Sequence, residues 1–171
     1  SRIGTSSTRT THPYYLKLLQ QLLDNLQLEI RLKNPYQFYT KGEMIENCKN
    51  IKFLEENISN TMSCSHPDSG RMQGEKTTKH CGYCLPCVIR QASIKKAGIT
   101  DSSLYRDSKF NNFDIAKMNY NSYRLGLEKF DSKYAFMSIQ KSGQISDNIE
   151  KFTDIYVRGM NELKEYINSF K

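Results

Sequence analysis

No stretch of the 171 residues approaches the ~20 consecutive apolar side chains that a membrane-spanning helix requires, so no membrane partner is expected. The opening residues, Ser1-Arg2-Ile3-Gly4-Thr5-Ser6-Ser7, lack the apolar centre of a secretory leader, which predicts a cytoplasmic protein. They also lack an initiator Met. Strand-forming sequence is scarce: only Leu28, Ile30 and Leu32, alternating with Glu29, Arg31 and Lys33 and stopped by Asn34-Pro35, make a convincing strand. A lone strand cannot satisfy its own backbone groups. This one therefore reads as cut from an α/β sheet, and with the missing Met it predicts a truncated C-terminal segment. A self-contained, mostly helical domain with 28–32 as a loop is the rival.

Charge of one sign is in only mild excess. The formal net charge is +7, and residues 1–100 hold 14 of the 25 cationic but 8 of the 18 anionic side chains. Such a surplus attracts anions or simply solubilises. Four thiolates on one divalent ion would lower it to about +5, too little to demand a nucleic-acid partner. At 37% hydrophobic, the chain has the material for a core that hides roughly 70% of its unfolded surface.

Cysteine is unevenly placed. Four of the five lie between positions 64 and 87, and three of those read Cys81-Gly82-Tyr83-Cys84-Leu85-Pro86-Cys87. Two sulfurs two residues apart converge on one ion through a tight knuckle, which Gly82 eases by accepting positive φ. Pro86 suits the first turn of a helix to Ala97, with Gly98 as its stop and Cys87 near the favourable N-terminus. Cys64 is the fourth ligand expected, with His66 and His80 as substitutes. A structural zinc site of Cys64, Cys81, Cys84 and Cys87 is predicted. A disulfide is disfavoured by the odd cysteine count and the crowded triplet; an iron–sulfur cluster is the other alternative. Cys48 reads as a small buried hydrophobe.

Elsewhere the spacing is helical. His12-Pro13 opens a helix to about Gln27 with Tyr15, Leu19, Leu22 and Leu26 on one face, and short helices are expected over 41–48 and 51–58. After the cysteines come Phe113, Ala116, Tyr120, Tyr123 and Leu127, then Phe130, Tyr134 and Met137. Asp147 with Glu150 suggests a cap before Ile149, Phe152, Tyr156, Met160, Leu163 and Ile167. These aromatic stripes read as core. Arg9 among the hydroxyls of residues 1–11 reads equally as an anion site or an exposed loop.

The elements Arg9-Thr10-Thr11-His12-Pro13, Asn34-Pro35-Tyr36, Thr40-Lys41-Gly42-Glu43-Met44, Thr61-Met62-Ser63-Cys64-Ser65 and His80-Cys81-Gly82-Tyr83-Cys84-Leu85-Pro86-Cys87-Val88-Ile89-Arg90 resemble, in order and spacing, the C-terminal half of the 7-cyano-7-deazaguanine synthases (QueC-like proteins). The closer likeness is to divergent QueC-like proteins of bacterial anti-phage systems such as Qat. The resemblance covers roughly residues 1–105.

That resemblance implies a mostly α chain with a short strand: the C-terminal part of a Rossmann-like α/β (PP-loop) fold, a four-cysteine zinc knuckle and a helical tail. The expected divisions are 1–60, 61–105 and 106–171. It implies a parent enzyme that uses ATP to adenylate a deazapurine carboxylate, exchanges AMP for ammonia to give an amide, and dehydrates that to a nitrile. The family's PP-loop, Ser-Gly-Gly-x-Asp-Ser, does not occur among these residues, so the chain alone should be inactive and its partner would be a PP-loop half. Protein partners of a defence system are a further implication. Arg9, Lys41 and Glu43 are the nucleotide- or substrate-binding candidates, Lys41 as a point charge and Glu43 orienting it or a nucleobase edge. Arg90 is read as balancing the thiolates. Pro67 to Lys79, an insert relative to the biosynthetic enzymes, is expected to be a surface loop. A non-catalytic, zinc-stabilised module binding protein or nucleic acid is the rival function.

Overall fold

A computed structural model describes residues 11–71, 74–145 and 147–170. Its helices are α1 (Pro13–Asn25), α2 (Lys41–Glu46), α3 (Ile51–Asn57), α4 (Leu85–Ala97), α5 (Asp114–Glu128), α6 (Ala135–Gln140) and α7 (Ile149–Asn168). The chain divides into two compact units, one formed by residues up to Phe38 with Asp131–Val157, the other by Tyr39–Phe130 with Arg158–Lys171.

In the first unit, His12 caps α1 by accepting the Tyr14 N–H at Nδ1, and Pro13 fills the first turn. The face expected to be core is uncovered: α1 buries no residue, and Leu22 and Leu26 are more than half exposed. The strand expected over 28–32 is not formed, and among the described residues no strand forms at all. The physical reason is visible at Gln20. Its side-chain amide donates to the Ile30 carbonyl at 2.9 Å and accepts the Leu32 N–H at 2.8 Å, standing in for one peptide of a neighbouring strand. The Ile30 N–H turns back onto the Leu28 carbonyl at 2.8 Å, a tight local turn inside the segment, and no ladder forms. At the end of this stretch the Phe38 ring lies 5.1 Å from that of Phe152.

In the second unit the core sits on α4. Val88 and Ala92 pack with Phe110, Ala116, Leu127, Tyr166 and Ile167, so the residues after 105 supply most of the apolar cover for the cysteine-bearing helix. Phe110, at φ +59 and nearly fully buried, stands edge-on to Phe170 at 5.3 Å. α4 begins and ends as its sequence dictates, with Pro86 in the first turn and Gly98 left-handed at φ +66. The isolated bridge between His80 and Tyr105 runs parallel and brings the chain after α4 back beside the cysteines. No described helix is long and apolar enough to cross a membrane.

Candidate metal centre

Cys64, Cys81, Cys84 and Cys87 bring their sulfurs within 4.8 Å of one another. Cys64 lies 4.0 Å from Cys84 and Cys81 3.9 Å from Cys87. Those spacings are twice a disulfide bond, and all of these cysteines are free. They match the roughly 3.8 Å edge of a tetrahedron with metal–sulfur bonds of about 2.3 Å. The four side chains thus fit one tetrahedral ion with no open position, which suits a structural rather than a catalytic metal.

Local backbone geometry produces the convergence. Gly82, at φ +90, turns the chain so that the Cys84 N–H donates to the Cys81 sulfur at 3.2 Å. A Cβ on Gly82 would stand 2.4 Å from the Asp107 carbonyl oxygen, so only glycine fits there. The Cys64 sulfur accepts the N–H groups of His66 and Cys81 at 3.3 and 3.2 Å. Cys84 is the N-cap residue of α4 and Cys87 lies in its first turn, where the helix dipole favours negative sulfur.

The four sulfurs differ in acidity. The hydrogen bond from Cys81 pulls the Cys64 thiol down to about 6, and hydrogen bonds from Cys64 and Cys81 depress Cys84 strongly. Cys81 and Cys87 are pushed up, first by their hydrogen bonds with Cys64, as befits the proton donors of the set. Thiolate is the form of cysteine that ligates a metal, and the hydrogen bonds at Cys64 and Cys84 favour it.

His80 and His66 are not ligands here. His80 is buried, with Nε2 3.2 Å from the Thr61 carbonyl oxygen and Nδ1 3.9 Å from the Cys87 sulfur. Burial, with the nearby Arg90 charge, lowers its pKa, so the neutral ring suits a sulfur-supporting contact. His66 is exposed. Arg90, expected beside the thiolates, hydrogen-bonds to oxygen instead: Nη1 to the Thr61 hydroxyl at 2.6 Å, and Nη2 to the Ile58 carbonyl at 2.6 Å and Ser103 Oγ at 2.8 Å. It fastens the approach to Cys64 onto α4. Cys48 is half-buried, apart from the cluster.

The remaining candidates fall elsewhere. Arg9 lies outside the described residues. Lys41 is exposed at the first position of α2. Glu43 closes a capping box with Thr40, and Arg158 donates to its carboxylate through Nε at 2.7 Å. Glu162, also from α7, accepts the Thr40 hydroxyl and comes so near Gly42 that a Cβ there would meet it at 2.8 Å. No spacing rule could have found Arg158 and Glu162, more than 110 residues from their partners. The Pro67 to Lys79 loop is held as well: Arg106 donates to the carbonyl of Pro67 at 3.1 Å, Ser69 Oγ at 2.6 Å and Glu75 at 3.0 Å.

These features coincide with the comparisons with known proteins. The family model "Queuosine biosynthesis protein QueC" matches residues 10–98. The 7-cyano-7-deazaguanine synthase of Methanococcus aeolicus is 28% identical over 79 residues, 45% of this chain. The match spans 31% of that relative's length. No solved structure matches the chain significantly. The family model covers more than half of the chain, from the start of α1 through the four clustered cysteines to the end of α4, and the chain belongs to the QueC family.

Proposed function

We propose that this chain is the zinc-bearing segment of an ATP-dependent, QueC-like synthase that activates a deazapurine carboxylate by adenylation. The carboxylate would displace pyrophosphate from ATP, ammonia would then displace AMP to leave an amide, and a second activation would dehydrate the amide to a nitrile. The convergence of four sulfurs within 4.8 Å inside the family-matched stretch is the observation that carries this reading. Zinc is the favoured ion because four thiolates in a closed tetrahedron are its usual structural setting. The ion would fix the turn 81–87 and the approach at 64, and so the start of α4; it takes no part in the chemistry.

ATP pyrophosphate needs a phosphate cradle of backbone N–H groups, and the residues here supply none of the Ser-Gly-Gly-x-Asp-Ser type. A PP-loop half is therefore the proposed partner. The exposed Leu22, Leu26 and Ile30 of the first unit offer it an apolar face. Lys41 is the proposed point charge for the substrate or nucleotide. The anti-phage branch is favoured over the biosynthetic one by the Cys64-to-Cys81 insert and by the long helical tail, which lies beyond the matched residues.

The test is to supply the PP-loop half, in one chain or as a second one, with ATP, ammonia and 7-carboxy-7-deazaguanine. Release of AMP and pyrophosphate that requires the acid supports the reading. A zinc-replete assembly that binds ATP yet releases neither product with this or related acids would refute it.

A further inference from the structure

One exposed face of α5 is apolar where a solvated helix ordinarily carries charge. Ile115, Met118 and Leu125 are 49–68% exposed, and they share that face with Ser122 and Gly126 at the spacing of a single helical stripe. Single exposed apolar side chains are ordinary, but an aligned stripe of them marks a contact surface. Among the described residues nothing stands over Gly126, where an added Cβ would meet no atom within 4 Å. The stripe lies in the tail, beyond the residues 10–98 that the family model matches.

Beside Gly126 a cavity of about 200 Å³ opens between α4, α5 and the end of α7, walled by Leu85, Val88, Tyr123, Leu127, Met160 and Leu163. It is smaller than ordinary ligand pockets of about 300–1,000 Å³. Its hydroxyls are spent within the chain: Ser122 donates to the Met118 carbonyl at 2.9 Å and Tyr123 to the Tyr83 carbonyl at 3.1 Å. Such a cavity suits an apolar side chain rather than a polar small molecule. Charge is arranged at the two ends of the stripe. Asp114 opens α5 with its side chain almost fully exposed, held only by Lys117 at 3.6 Å. Lys129 closes the helix, exposed and without an ion pair among the described residues.

We infer that this face of α5 joins two copies of the chain, the helices running antiparallel across a two-fold axis at Ser122. That axis sets Met118 over the partner's Gly126, so that each methionine enters the other copy's cavity as a knob enters a hole. It also brings Asp114 beside the partner's Lys129 and, on the flank, Lys117 beside the partner's Glu128. The small side chains at Ser122 and Gly126 let the helices approach at the near end of the usual 8–10 Å. Charge complementarity selects a second copy as the occupant: acid at the start and base at the end of one stripe match themselves in antiparallel register, whereas parallel pairing sets like against like. One helix pair buries less than a standard interface of about 1,600 Å². The dimer is therefore weak and exchanges across the micromolar range. It is independent of the adenylation reading, since neither the sulfurs nor Lys41 belongs to the contact.

The experiment is sedimentation equilibrium of the zinc-loaded 171-residue chain, joined to a position-specific crosslink because α1 also exposes apolar side chains. A monomer–dimer equilibrium is expected. Met118→Glu should weaken it at least tenfold with zinc content and melting temperature unchanged, since that side chain is exposed in the single chain. Asp114→Lys should weaken it several-fold, and adding Lys129→Asp should restore it. Ser122→Cys, which the two-fold axis places opposite itself, should oxidise to a disulfide-linked dimer, while the parent and Glu165→Cys, an exposed position on α7, should not. A chain that stays monomeric at millimolar concentration, a dimer undiminished in Met118→Glu, a double charge reversal no tighter than the single one, or no crosslink at position 122 would overturn the inference. Loss of that crosslink when a PP-loop half is supplied would assign the face to that half and overturn it as well.

Discussion

Glu162, near the end of α7, accepts a hydrogen bond from the hydroxyl of Thr40, the residue that caps α2. The carboxylate is 8% exposed, and burial raises its pKa above the ordinary carboxylate value, against the opposing hydrogen bonds from Thr40 and Gly42. A raised pKa means that the folded state binds the proton more readily than the unfolded one. Stability from this group is therefore full in acid and is lost as pH rises through the folded pKa. Glu162→Gln cannot ionise, so its stability should fall less than the parent's between pH 4.5 and neutrality. Urea unfolding across that range checks this, and parallel curves for the two proteins would contradict it.

Arg158 reaches Glu43 from the same helix, at 2.7 Å through Nε and 3.3 Å through Nη2. Both side chains are partly exposed, so solvent screens the pair and its coupling should be about 0.5–1 kcal/mol. A double-mutant cycle of Arg158→Ala with Glu43→Gln measures this directly. Coupling near zero would mean that the capping box alone holds Glu43.

The contrast between these contacts and the cysteine knuckle explains what could be read from sequence. The knuckle is local: Gly82 must turn, Pro86 starts α4 and Gly98 stops it, and each outcome follows from backbone sterics at a single residue. The resemblance led to the QueC family through the same local elements. Alternation at Leu28, Ile30 and Leu32 predicts a strand that does not form, because a strand exists only with a neighbour, and here the Gln20 side chain and a local turn from Ile30 to Leu28 answer the backbone. The spacing of Tyr134 and Met137 gave a helical expectation, yet a short 3-10 turn precedes α6 and both side chains are exposed. Arg90's role turned on oxygens contributed by residues 58, 61 and 103, which no local pattern links.

Gly82→Ala should be the most damaging single-methyl change in the second unit. It forces a Cβ into left-handed backbone and toward the Asp107 carbonyl, at a cost upwards of about 2 kcal/mol. That corresponds to a fall in melting temperature of roughly 4–8 °C in a protein of this size. A melting curve unchanged within a degree would show that the turn relaxes freely.

Arg106→Ala should free the loop between Cys64 and Cys81. The guanidinium holds Pro67, Ser69 and Glu75 together and keeps the Glu75 carboxyl below the usual range. Limited proteolysis should cut the variant within 66–79 while the parent resists, with metal content unaltered. Equal cleavage of both would remove Arg106 as the clasp.

Removal of one sulfur should be far costlier than any of these. A structural zinc contributes on the order of 10–16 kcal/mol in small peptides, as much as a whole domain's stability. Cys84→Ser, or chelation of the parent, should therefore unfold the region around 62–98, read as loss of its amide-exchange protection. Protection that survives complete metal removal would show that packing on α4 suffices alone.

X-ray absorption at the zinc edge of the purified chain tests the centre most directly. One zinc per chain surrounded by four sulfurs at about 2.3 Å is the predicted result. A nitrogen or oxygen ligand in that shell, or iron in place of zinc, would contradict a closed structural site made by Cys64, Cys81, Cys84 and Cys87.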